Sequence, residues 1–263
     1  MERQKLIQKL NEMLLQEMPQ YRHDAEQFAA DISFQRRMLR SLMNVRPPMP
    51  LSNEYLTLQD ELLSAEQNEK GVVDAMMLPT TADMRIVLWQ GDITRLNVDA
   101  IVNAANGQML GCFYPCHNCI DNAIHSAAGL QLRDECSRIM TKQGHDEPTG
   151  SAKITEAYNL PSKYVLHTVG PIINGALSQN DCDLLQSCYY SCLALAQEYK
   201  LESVAFCCIS TGEYHFPNQK AAELAVQTVK DFLKTNSSLK KVIFNVFKGR
   251  DLEFYQKLLK SIR

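Results

Sequence analysis

Val204-Ala205-Phe206-Cys207-Cys208-Ile209, followed by Ser210-Thr211-Gly212-Glu213-Tyr214-His215-Phe216-Pro217, decides the fold. Six apolar residues in succession leave no polar face for solvent, so the run reads as a strand covered by helices on both sides. Pro217, at or near a first helical turn, then opens the helical pattern Asn218 to Leu233. Working outward, short β-rich runs alternate with helical ones: Arg85 to Trp89, Ala100 to Val102, Ile120 to Ser137, Lys153 to Glu156, Tyr164 to Val169. The alternation continues through Asp183 to Tyr199, Ser203 to Ile209, Lys241 to Phe247 and Leu252 to Ile262. An α/β layer sandwich is expected.

The first part of the chain has a different character, and the change falls near residues 70 to 84. Apolar residues recur at three- and four-residue intervals from Gln4 to Leu15, Asp24 to Leu42 and Asn53 to Ala65, which predicts helices. Arg46-Pro47-Pro48-Met49-Pro50 must interrupt them, because proline lacks a donor and restricts its predecessor. Ser52 or Asn53 offers a cap for the helix that follows. This arm is expected to pack as a cover near the cleft.

Of 263 residues, 45% are hydrophobic and 22% charged, which excludes a disordered or fibrous chain. The formal charge of -3 gives no electrostatic reason to expect a nucleic-acid partner. With no long apolar run and a polar start at Met1-Glu2-Arg3-Gln4-Lys5, neither a membrane span nor a secretion signal is expected. Nine cysteines point to reduced thiols and a cytoplasmic location.

In an open α/β sheet, ligands gather where strands end at their carboxyl edge. Gln90-Gly91-Asp92-Ile93-Thr94 supplies a tight turn and a carboxylate that can accept from an exocyclic amine or cap its own backbone. Asn103-Ala104-Ala105-Asn106 places two amides, suited to sugar hydroxyls, among small residues. The loop from Ser210 to Pro217 offers free N–H groups and the positive end of a helix dipole, a seat for phosphate.

Cys112-Phe113-Tyr114-Pro115-Cys116-His117-Asn118-Cys119 gathers four soft ligands in eight residues, and Zn²⁺ is the economical explanation. No second pair follows at zinc-finger spacing. A site with three protein ligands would keep one position open towards substrate. Immediately afterwards, Asp121 and His125 stand one turn apart on the same face of a helix start. Asp121 is the candidate catalytic carboxylate.

These four loops, in this order, resemble the ADP-ribose-binding macrodomain family over roughly residues 84 to 263. The motifs carrying the likeness are Gln90 to Thr94, Val98 to Asn106, Ile120 to Gly129 and Ile209 to Gly212. Thr149-Gly150-Ser151-Ala152 and His167-Thr168-Val169-Gly170-Pro171 support it. The resemblance implies a three-layer α/β/α sandwich with a mixed central sheet, spanning 81–263, preceded by a helical extension, 1–80. Where the family carries a glycine-rich first loop, this chain has the longer cysteine segment, which resembles the zinc-containing branch. That branch implies Cys112, His117 and Cys119 as ligands of Zn²⁺, with Cys116 a spare thiol. Glu213 and His215 depart from the positions of commoner macrodomains.

By the same resemblance, Asp92 would accept from the adenine amine, Ile93 would bond a ring nitrogen through its N–H, and Phe247 would stack on the base. Backbone amides of Ser210, Thr211, Gly212, Glu213 and Tyr214 would hold the diphosphate. Asn106 would hold the distal ribose and assist Asp121 in catalysis, and Ile120, Asp121 and Asn122 complete the ADP-ribose-binding set. The implied activity is zinc-dependent release of ADP-ribose from mono-ADP-ribosylated protein, by cleavage at the anomeric carbon of the distal ribose. A sirtuin-class transferase and a lipoyl-carrier-like target are the implied associates. The alternative is a binding module that keeps ADP-ribose attached and uses zinc structurally.

Overall fold

The structure, a computed structural model, describes residues 2–27, 31–235 and 238–260. The arm comprises α1 (Arg3–Glu17), the single turn α2 (Arg22–Ala25), α3 (Ile32–Val45) and α4 (Asn53–Lys70). The sandwich follows as β1 (Val73–Asp74), β2 (Ile86–Gln90), β3 (Leu96–Asn97), β4 (Ala100–Ala105), α5 (Ile120–Ala128), α6 (Leu130–Gln143), β5 (Ala152–Glu156) and β6 (Tyr164–Val169). It ends with α7 (Gln179–Glu198), β7 (Ser203–Phe206), α8 (Asn218–Lys234), β8 (Lys241–Val246) and α9 (Gly249–Lys260). The end of the run read as helical to Ile262 lies outside the described residues.

Six strands form one sheet in the order β2-β8-β7-β4-β6-β5, parallel throughout except for β5, which runs antiparallel along β6 at the edge. Every residue of β7 and β8 is buried, as continuous apolar strands inside two helical layers must be. Neighbouring residues of β6 display the two faces. His167 meets Thr155 on β5 and lies 3.9 Å from Cys136 on α6, while Thr168 interacts with Cys188 on α7. This is the mixed-sheet α/β/α sandwich, with the helical extension before it.

Local chemistry explains where elements stop. Ser52 caps α4 by accepting the Tyr55 N–H at 3.1 Å, and Gly71, with φ 76°, ends it. The sequence reading joined Ile120 to Ser137 into one helix; Gly129, at φ 97°, instead separates α5 from α6. Asp24 to Leu42 is likewise no single helix, since α2 stops at Ala25 and α3 begins at Ile32; Phe28 to Ala30 of that run lie outside the described residues. The strand expected to reach Ile209 stops at Phe206, and the one expected to stop at Val102 continues to Ala105.

Two apolar cores result. One fills the sandwich; the other, with Ile7, Leu10, Leu14, Leu39 and Leu62 at its centre, belongs to the arm and takes in Leu130 of α6. The arm therefore packs mainly on itself and meets the sandwich along α3 and α4, with Arg40 of α3 reaching the cleft. Arg133 of α6 closes the seam from within, donating to the carbonyls of Leu110, Met43, Asn44 and Arg46 at 2.6 to 3.0 Å.

Candidate active site

Because β2, β8, β7, β4 and β6 are parallel, their carboxyl ends open on one edge of the sheet, where a cleft of about 1030 Å³ lies. Asp92, Ile93, Asn106, Cys112, His117, Cys119, Ile120 and Asp121 line it, together with Ser210 through Tyr214 and Phe247. Asn122 does not. Its side chain is fully buried behind the cysteine loop, where it donates to the carbonyls of Cys112 and Tyr114 at 3.4 and 3.0 Å.

At one end, Asp92 accepts the Thr94 N–H and hydroxyl at 3.0 and 2.7 Å, both on Oδ1, and so caps the short turn Ile93–Arg95. Phe247 follows β8 directly and is 75% exposed, which frees its ring for stacking. In the middle, Ser210 stands at φ 61° and His215 at φ 56°. Between them, among the described residues, no acceptor is bonded to the N–H groups of Thr211, Gly212, Glu213 and Tyr214. Four consecutive open donors form an anion seat. The start of α8 does not line the cleft, so the loop itself supplies the seat expected of the helix dipole. Gly170 lies beneath it, where a Cβ would stand 1.9 Å from Ser210 Oγ.

At the far end, Asp121 is only 5% exposed. Asn103 donates to Oδ1 at 2.8 Å and Asn106 to Oδ2 at 3.4 Å. Burial pushes the Asp121 carboxyl up to about 6, against the bond from Asn103 and the charge of Arg133. His125 Nε2 approaches Oδ1 at 3.5 Å, but burial, with His167 and Arg133 nearby, holds this imidazole well below its usual range, so it is neutral. Asn103 Nδ2 also lies 3.1 Å from His167 Nδ1. An amide nitrogen only donates, so Nδ1 accepts and the His167 proton sits on Nε2, 3.0 Å from Thr155 Oγ1. Burial lowers His167 to about 3, which keeps that neutral tautomer.

Beside Asp121, the ligand atoms of Cys112, His117 and Cys119 all lie within 4.8 Å of one another. His117 Nδ1 is buried with no hydrogen-bond partner, an orphaned nitrogen on a ring grouped with two thiols. Burial, then the neighbouring Cys112, push the Cys119 thiol up to about 12, against the Asn122 N–H bond. This donor set fits Zn²⁺, whose binding would offset the cost of an unpaired ring nitrogen and hold both sulfurs as thiolates. Cys116 turns the other way, its Sγ 3.3 Å from Ser41 Oγ and 3.5 Å from the Arg37 carbonyl. Across the cleft, Glu213 Oε1 lies 3.8 Å from His117 Nε2, so the anion seat and the triad adjoin.

A second trio, His125, Cys136 and His167, is equally close but wholly buried, and both nitrogens of His167 already face Asn103 and Thr155. Asn103, one of the two amides suited by sequence to sugar hydroxyls, is fully buried and serves Asp121 instead, while His167, quoted only within a supporting motif, pairs with it across β4 and β6. Arg40, which reaches the cleft from α3, had no signal in the sequence, because its partner Asn122 is 82 residues away.

The sequence matches the Macro domain family over residues 102–225. A "Protein-ADP-ribose hydrolase" of Treponema medium is 54% identical over 253 residues, 95% of this chain and 96% of that protein. One of the same description from Staphylococcus aureus (strain MSSA476) is 48% identical over 93% of each. Among solved structures, the Trypanosoma brucei macrodomain in complex with ADP-ribose superposes with a TM-score of 0.65 at 30% identity, covering 83% of this chain and 94% of that one. A variant of the Oceanobacillus iheyensis macrodomain with ADPR gives 0.62 at 38% identity, covering 68% and 94%.

Proposed function

This chain belongs to the macrodomain family and is an enzyme of the protein-ADP-ribose hydrolase class, and from that premise we propose that it cleaves at the anomeric carbon of the distal ribose with Zn²⁺ bound at Cys112, His117 and Cys119. The observation that carries the proposal is the meeting, at one end of the cleft, of a buried carboxylate with an orphaned imidazole nitrogen and two thiols. ADP-ribose lies with its adenine at Asp92 and Phe247, its diphosphate on the N–H groups of Thr211 to Tyr214, and its distal ribose between Asn106 and Asp121.

Cleavage passes through a transition state with oxocarbenium character, so the useful work is to place charge and water at that carbon. Asn103 and Asn106 hold the Asp121 carboxylate by one oxygen each, which fixes its direction towards the cleft. With its carboxyl near 6, Asp121 is mostly ionised at neutral pH and takes a proton from the attacking water as that water adds to the anomeric carbon. The bond to the protein side chain breaks and the departing group takes up, in net, the proton that Asp121 removed from water, which returns the carboxylate to its starting state. When bound, zinc would polarise the ribose hydroxyl or the scissile bond.

As substrate we propose a lipoyl-carrier-like protein modified by a sirtuin-class transferase, on the resemblance to the zinc-containing branch. Cys119→Ala tests the metal's part: loss of stoichiometric zinc with loss of turnover supports it, and undiminished turnover by metal-free Cys119→Ala removes it. Tight binding of modified protein without release would favour a reader.

A further inference from the structure

Arg40, Ser41 and Asn44 of α3 face the cysteine loop, and their bonds reach every member of its triad. The Arg40 guanidinium is forked: Nε and Nη2 donate to Asn122 Oδ1 at 3.2 and 2.7 Å, and Nη2 also donates to the His117 carbonyl at 3.1 Å. Asn122 in turn donates through its side chain to the Cys112 carbonyl, and its backbone N–H lies 3.3 Å from Cys119 Sγ. Alongside, Asn44 Oδ1 accepts the Cys116 N–H at 2.8 Å. Thus His117 is fixed to Arg40 directly, and Cys112 and Cys119 through Asn122.

We propose that Arg40 is a positioning residue for the cation site: its fork sets the cysteine loop at ligating spacing before the ion arrives, which makes the helical arm a working part of that site. The inference rests on the zinc reading given above. A segment from Cys112 to Cys119 with no strand or helix of its own would otherwise lose about 1–2 kcal/mol of conformational entropy per residue ordered on metal binding. Here that ordering is completed during folding. The planar guanidinium meets both acceptors with a rigid fork; a lysine ammonium, with three rotatable donors on a flexible stem, does not hold them in that fixed geometry.

The test uses full-length, metal-free protein without ADP-ribose, and measures Zn²⁺ affinity by competition with a chromophoric chelator. Arg40→Met keeps the aliphatic stem and removes the donors, Arg40→Lys keeps charge without the fork, and Arg37→Met, on an exposed part of the same helix, is the control. Folding is checked by circular dichroism and urea midpoint. The expected result is a zinc Kd raised about 10- to 100-fold in Arg40→Met, less in Arg40→Lys, and unchanged in Arg37→Met. Hydrogen exchange at the Cys116 amide should also quicken in metal-free Arg40→Met. A folded Arg40→Met with wild-type zinc affinity overturns the proposal; if that variant fails to fold, wild-type affinity in Arg40→Lys does so. Wild-type protein that takes up no stoichiometric zinc fails the underlying reading and this inference together, whereas normal uptake in both proteins fails the inference alone.

Discussion

Asp92 caps the turn Ile93–Arg95 through Oδ1, which leaves Oδ2 for a ligand, so one carboxylate serves both the structural and the recognition reading. The two uses separate by mutation. Asp92→Asn keeps an oxygen for the Thr94 cap but turns an amide towards the adenine amine; it should lower ADP-ribose affinity by about 10- to 100-fold with an unchanged melting temperature. Asp92→Ala should lose affinity and also about 1 kcal/mol of stability, measured by calorimetry and urea denaturation. Equal affinity of Asp92→Asn and wild type would contradict the adenine role. Asp121→Asn should retain ADP-ribose binding within a few-fold while turnover of modified protein falls about 10²–10⁴-fold. Binding and turnover falling together would instead make Asp121 a binding residue. Both residues were legible in sequence because a short motif fixes their place at a strand end or helix start. One step along α5 turns the side chain of Asn122, in the same motif, from the cleft to the buried loop, a scaffolding part that the motif alone does not reveal.

At the scale of elements, hydrophobic periodicity located each strand of the main sheet, yet their ends depended on conformation at single residues. Gly129 and Gly111, at φ 97° and 80°, mark breaks that an apolar pattern does not record. A Cβ at Gly111 would stand 2.9 Å from the buried His125 ring, in a backbone region that L side chains rarely adopt. Gly111→Ala should therefore cost about 1–3 kcal/mol in urea denaturation, and a variant as stable as wild type would refute that strain. The arm carries its own charge-linked element. Glu66 on α4 is bonded by Arg36 of α3 at 2.6 and 2.8 Å and by Arg3 of α1 at 3.2 Å. Burial alone would raise its carboxyl, but the two guanidinium groups outweigh burial and hold it below the ordinary glutamate range. Its stabilisation is complete above about pH 4.3, the unfolded value, and is lost as pH falls through the lower folded value. Glu66→Gln should lower the urea midpoint at pH 7 and match wild type near the acid limit of the native state. A difference that stays constant across this range would contradict the linkage.

For the whole molecule, two cores meet at a polar seam, and this long-range docking was the least legible feature. Amphipathic helices reveal that a face is buried but not which surface buries it. The arm's partner surface is assembled by Arg133, 3% exposed, which serves four carbonyls and stacks over Phe113 at 4.4 Å. Arg133→Met would leave those carbonyls buried without a donor and should destabilise the protein by about 3–5 kcal/mol, a loss beyond what its packing alone would give.

We propose that a zinc-assisted carboxylate releases ADP-ribose at the end of this cleft. The most direct measurement is the rate at which free ADP-ribose appears from a mono-ADP-ribosylated protein, with the enzyme as purified, after chelation, and after zinc is restored. Release that stops on chelation and returns with one equivalent of zinc is the expected result; release at the same rate in all three states would contradict it.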